Sequence, residues 1–132
     1  MKYLLDTHTM VWATTDIAKL SLVIRKILEN PNHQILVSPV SFWEISLKYA
    51  LGKLELNNIA PEDFPSACTS MAFDILPLEA PVTSTFHFLK ATWHKDPFDR
   101  MLIWQALCLN VPIATKDAEI ALYQSAGLKV VW

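Results

Sequence analysis

Short apolar runs alternate along the chain with longer stretches in which apolar residues recur every three or four positions. The runs read as strands at Lys2–Leu5, Gln34–Val37, residues 73–76, residues 112–115 and residues 128–132. Asp6, Ser38-Pro39 and Pro77 close the first three. The periodic stretches predict helices over residues 9–14, 21–29, 40–51, 61 to about 71, 79–90, Pro97–Leu109 and 117–125. Ser21 is placed to cap the second, Gly52 to stop the third and Asn110 to end the sixth. The strands are apolar on both faces, as in a parallel sheet covered on each side. Alternation of strand and helix then predicts a three-layer α/β/α sandwich with a mainly parallel central sheet.

Composition narrows this picture without changing it. The chain has 132 residues, 52% hydrophobic and 18% charged, which fits one domain over residues 1–132 and excludes disorder. A net charge of −2 gives no global positive field, although a local basic rim or bridging cations still handle phosphates. Cys68 and Cys108 are the only cysteines. Both sit in apolar, helical contexts and read as small core residues of a reduced, cytoplasmic protein. Asp6 interrupts the N-terminal apolar run too early for a signal peptide, and no stretch nears the roughly 20 apolar residues of a membrane span. Two glycines, Gly52 and Gly127, are too few for a glycine-rich phosphate loop.

In a sheet of this kind ligands gather beyond the carboxyl ends of the strands. The acids map there. Asp6 follows the first strand, and Asp117 follows the fourth after Thr115 and Lys116. Glu44 lies in the first turns of the helix leaving the second strand, while Asp96 and Asp99 open the helix that leads into the fourth. Two carboxylates about 5 Å apart at an effective dielectric of about 20 repel by roughly 3 kcal/mol. A group of them either protonates in part or holds a cation. Oxygen donors without paired Cys or His favour Mg²⁺ or Mn²⁺ over zinc. Such an ion suits phosphodiester hydrolysis.

Each acid also has an ordinary structural reading. Asp96, Pro97 and Asp99 make a good helix start, with Asp96 as N-cap. Asp117 fits an N-cap, Asp6 a turn residue, and Glu44 a water-facing helical glutamate. Only their convergence on one rim favours chemistry. Two rival site types fail on spacing. An aspartate-nucleophile phosphatase needs a second acid two residues after the first, where this chain has His8. A phosphoacceptor module needs an aspartate ending a central strand, where Ser38-Pro39 and Leu76-Pro77 stand.

Four segments in register carry a resemblance: LLDTHTMVW at 4–12, SFWEISLKYALGKLEL at 41–56, HKDPFDRMLIWQA at 94–106 and ATKD at 114–117. Together they resemble the PIN-domain ribonucleases, and more narrowly the VapC-like toxins of bacterial type II toxin–antitoxin pairs. The likeness spans nearly the whole chain. It implies the three-layer fold and places the family's acids on Asp6, Glu44, Asp99 and Asp117, as catalytic and metal-holding residues. Asp96 matches the extra aspartate of the DPFDR subgroup. The resemblance further implies Mg²⁺- or Mn²⁺-dependent endonucleolytic cleavage of RNA, a cognate antitoxin and a homodimer. A catalytically silent PIN scaffold that binds RNA or a protein partner is the alternative. One departure from the family pattern is Trp104, where a small residue is more usual.

Supporting roles are assigned on the same basis. Thr7 and Thr115 are placed to hydrogen-bond carboxylates or water, or simply to cap. Arg100 either contacts phosphate or pairs with an acid. His8, His33, His87 and His94 show no metal-ligand spacing and read as surface or packing residues. Trp12, Trp43, Trp93 and Trp104 read as core or interface. Lys48, Lys53, Lys90, Lys95 and Lys116 are solvated surface by default, with a basic rim for RNA as the functional reading.

Overall fold

The computed structural model describes residues 1–90 and 93–132. Its strands are β1 (Lys2–Leu5), β2 (Gln34–Val37), β3 (Asp74–Ile75), β4 (Ile113–Ala114) and β5 (Val130–Val131). They form one sheet in the order β3-β2-β1-β4-β5, with every pairing parallel. The helices among the described residues are α1 (Thr7–Thr15), α2 (Leu22–Glu29), α3 (Pro39–Ala50), α4 (Phe64–Ser70), α5 (Ala80–Ser84), α6 (Pro97–Leu109) and α7 (Ala118–Ala121).

The strand period of two divides the core into the two layers that flank the sheet. Tyr3, Leu5, Ile35, Val37 and Ala114 point to one side, where Met10 and Ala13 of α1, Ile24 of α2 and Phe64 and Cys68 of α4 pack. Leu4, Leu36 and Ile113 point to the other, against Leu102, Ile103 and Ala106 of α6 and Ile120 of α7. A strand that is apolar at every position is therefore needed at the centre, and β1 and β2 have one after their first residue. The three-layer α/β/α sandwich expected from the sequence is the observed architecture.

Strand order reverses direction next to β1: the chain moves outward through β2 and β3, then returns to β4 on the other side of β1. Leu5 lies beside Ala114 in register, so Asp6 and Thr115 leave the sheet as neighbours. The crevice at this switch point is where α/β sheets bind ligands.

Several elements differ from the sequence expectation. The helix over 79–90 is instead α5 followed by a 3-10 turn at Phe86–Phe88. Threonines cause the break. The hydroxyls of Thr83 and Thr85 donate to the carbonyls of Ala80 and Pro81, competing with the backbone ladder. Trp104 then takes the Val82 carbonyl through its indole N–H at 2.9 Å, so the unusual residue of α6 caps the frayed end of α5. The helix at 117–125 is likewise α7 plus a 3-10 turn, Leu122–Ala126. Cys108 is exposed, contrary to its core assignment, whereas Cys68 is buried. Leu102, Gln105 and Ala106 form the buried face of α6, and Cys108 falls off that face. Trp43, read as core or interface, has 62% of its surface exposed and one edge on Phe98, which leaves the interface half of that reading.

Candidate active site

The first carboxylate is fixed by the start of α1. Asp6 is its N-cap: Oδ1 accepts the Thr9 N–H at 2.8 Å. Oδ2 accepts the Thr115 hydroxyl, which arrives from the neighbouring strand end. Asp6 is only 4% exposed. Burial pushes its carboxyl above the ordinary range, against the opposing pull of the Thr115 and Thr9 hydrogen bonds.

Glu44 is held from the opposite side. It lies two turns into α3, 3% exposed, so it is not the water-facing glutamate of the structural reading. Oε1 accepts the Thr7 hydroxyl at 2.6 Å, and Thr7 lies 3.0 Å from the Ser41 hydroxyl. Oε2 pairs with the Lys48 ammonium one turn further along the helix. Burial works against that ammonium, but the Glu44 contact wins and raises its pKa, with Asp96 and Asp99 adding to the pull.

The DPFD segment behaves as its sequence predicts. Asp96 caps α6, with Oδ1 accepting the N–H groups of Phe98 and Asp99 at 2.9 and 3.0 Å, and Pro97 occupies the first turn. Asp96→Ala is expected to cost about 1 kcal/mol of stability through the lost cap, read as a lower denaturant midpoint, with a smaller effect on any cleavage rate than loss of Asp99.

Asp99 lies in the combined field of the other acids. Its carboxyl is pushed up to about 8, first by burial and then by the charges of Asp96, Glu44, Asp117 and Asp6. Among the described residues no hydrogen bond compensates it; His94 Nε2 stands 3.5 Å from Asp99 Oδ2. Asp117 caps α7 through the Glu119 N–H at 2.8 Å, and its own N–H donates to the Thr115 hydroxyl at 3.0 Å. Thr115 thereby links Asp6 to Asp117.

Two clefts flank this centre. One of about 370 Å³ is bordered by Thr7, Glu44 and Lys48 and floored by Val11, Ile45 and Leu54. The other, about 220 Å³, lies between Asp6, His8, Trp12, Lys116 and Asp117. His8 and Trp12 line both.

The structure thus brings Asp6, Glu44, Asp96, Asp99 and Asp117 into one electrostatic field, with Thr7 and Thr115 on the carboxylates. Arg100 is placed elsewhere: its buried guanidinium donates to the Tyr123 hydroxyl at 2.8 Å and the Leu89 carbonyl at 3.0 Å. Sequence reasoning missed Ser41 and His94 as members of the site, and read Lys48 as surface or an RNA rim without its pairing to Glu44. Lys48 had a usable signal, since a lysine four residues after a glutamate on a helix is spaced to pair with it. His94 had none, because its contacts come from α6 and from the distant Tyr123.

The donor set fits a hard divalent ion of the Mg²⁺ or Mn²⁺ kind. All the converging groups are carboxylates, and the raised Asp99 carboxyl is what a site short of positive charge produces. Among the described residues no three acid, His or Cys side chains stand close enough to cage an ion unaided. Magnesium sites of one or two carboxylates completed by waters and substrate phosphates have that character. Asp6, Glu44, Asp99 and Asp117 are the carboxylates from which one or two could bind such an ion.

Comparison with known proteins agrees with the geometry. The PIN domain family matches residues 3–125, and the chain belongs to that family. Among solved structures it is similar to one of VapBC2 from Rickettsia felis bound to a DNA fragment from its promoter, with TM-score 0.68, 17% identity and coverage of 99% of this chain and 98% of that one. It is also similar to VapBC-1 from nontypeable Haemophilus influenzae, with TM-score 0.64, 15% identity and coverage of 99% and 97%. FitAcB from Neisseria gonorrhoeae follows, with TM-score 0.63, 19% identity and coverage of 98% and 96%. At these identities the likeness is one of fold. No curated protein matches the chain. Among the described residues no helix is long and apolar enough to cross a membrane.

Proposed function

We propose that this chain, as a single PIN-like domain, is a divalent-metal-dependent endoribonuclease and the toxin of a toxin–antitoxin pair. The observation that carries the reading is Asp99, whose carboxyl is driven up to about 8 by burial and four surrounding carboxylates. A group so placed gains most from a bound cation. Mg²⁺ or Mn²⁺ held by Asp6, Glu44, Asp99 and Asp117 would lower the pKa of a bound water and neutralise charge on the phosphoryl oxygens.

The chain's own residues do the remaining work. Thr9 and Thr115 fix the orientation of Asp6, and Thr7 and Lys48 fix Glu44. Asp117 assists from beyond the end of β4, and Asp96 acts as cap and outer-sphere contact. Lys48 and Lys116 border the two clefts and are positioned to meet phosphates of a single strand laid across the His8–Trp12 ridge. The similarity to VapBC and FitAcB assemblies supports a cognate antitoxin as partner; a homodimer as the working unit and a cytoplasmic setting complete the proposal.

Purified protein incubated with structured RNA, with Mg²⁺ or Mn²⁺ and with chelator, beside Asp6→Asn, tests the reading. Metal-dependent cleavage lost in Asp6→Asn is the expected result. Cleavage indifferent to chelator and mutation would identify a contaminant. RNA or partner binding with no cleavage of any RNA would favour the silent scaffold.

A further inference from the structure

The mechanism above leaves a buried polar chain unused behind Asp99. Arg100 donates from NH1 to the Tyr123 hydroxyl at 2.8 Å, and that hydroxyl lies 3.1 Å from His94 Nδ1. The far nitrogen of the same ring, Nε2, is buried without a hydrogen-bond partner among the described residues and faces Asp99 Oδ2 at 3.5 Å. Tyr123 is fully buried, with Trp93 and His94 packed edge-on to its ring.

Donor accounting fixes the direction of this chain. An arginine only donates, so the Tyr123 oxygen accepts from it. The phenolic hydrogen then has His94 Nδ1 as its acceptor, and Nδ1 must carry a lone pair. The imidazole hydrogen therefore sits on Nε2, aimed at the carboxylate. A buried donor left unmet is unfavourable, and a small movement of Asp99 toward it supplies the missing acceptor.

We propose that His94 is a positioning residue for Asp99: Arg100, acting through Tyr123, holds the ring with hydrogen on Nε2, which pins Oδ2 and leaves the other carboxylate oxygen to the divalent ion. This rests on the metal-dependent reading of the same site. Polar partners behind a metal ligand generally fix its orientation, and their loss costs about 10–100-fold in metal affinity.

Two measurements test it, neither of them an activity. Calorimetric Mn²⁺ titration of RNA-free protein is expected to show binding weakened about 10–100-fold in His94→Ala and largely recovered in His94→Gln, whose amide donates from the position of Nε2. Long-range proton–nitrogen NMR of the metal-free protein, with His94 assigned by its loss in His94→Gln, is expected to show a pyridine-type Nδ1 and a pyrrole-type Nε2. Tyr123→Phe should release that preference. Unchanged Mn²⁺ affinity in His94→Ala, equal loss in His94→Gln, or hydrogen on Nδ1 in the parent would each overturn the proposal. A parent that binds no Mn²⁺ overturns it together with the reading beneath it. Were His94→Ala to misfold, the parent's nitrogen spectrum and Tyr123→Phe still decide.

Discussion

Asp99→Asn is expected to abolish metal-dependent RNA cleavage and to leave the metal-free fold at least as stable as the parent near pH 8. The two halves of this result have one cause. The parent carboxyl, pushed up to about 8 by burial and by Asp96, Glu44, Asp117 and Asp6, is unfavourable to ionise in the folded chain. An amide of the same shape carries no charge to desolvate or repel, so the fold loses nothing by the change. An ion at this site would lose the carboxylate with the strongest reason to bind it. Even a partner behind a metal ligand costs about 10–100-fold when removed, so loss of the ligand itself should exceed that range. Cleavage assayed at saturating Mn²⁺ beside thermal melts in chelator reads both halves. Residual cleavage within tenfold of the parent, or a large fall in melting temperature without metal, would sink the assignment of Asp99. Equal loss of activity in Asp96→Ala would sink the division of labour between the two aspartates.

The legible parts of this protein were those encoded locally. The cap at Asp96 followed by Pro97 was readable because all its partners lie within four residues. Strand β1 was readable because an apolar run ending at an acid has one sensible place in a parallel sheet, and that place put Asp6 at the switch point. The fold and the gathering of acids at strand ends follow from such features. What was not legible depends on distant contacts. The Val82 carbonyl freed at the end of α5 is met by the Trp104 indole, across 22 residues. His94 faces Asp99 with its ring fixed from behind by Tyr123, 29 residues away, and no spacing rule anticipates that second contact. The phosphate-or-acid choice for Arg100 overlooked a third arrangement, in which a buried guanidinium donates to a phenol and a carbonyl while stacking on Phe86.

Melting temperature in the presence of chelator is expected to fall as pH rises from about 4 to about 8, and Mn²⁺ is expected to flatten that slope. The ordinary carboxyl value of 3.8 applies to Asp99 in the unfolded chain, against about 8 in the fold. Between those values the folded state keeps a proton that the unfolded state has released, so it binds more protons and stability declines with rising pH. The contribution is whole below about 4 and fully lost above about 8. Asp6, shifted in the same direction by burial, adds a slope of the same sign. A divalent ion favours the ionised carboxylates and must displace their protons, so its affinity should tighten as pH rises through this window. Asp99→Asn isolates this effect: the variant in chelator should lose most of the slope that the parent shows. A parent whose melting temperature is flat from pH 4 to 8, or a variant that keeps the full slope, would mean that the acids do not share the field on which the metal reading depends.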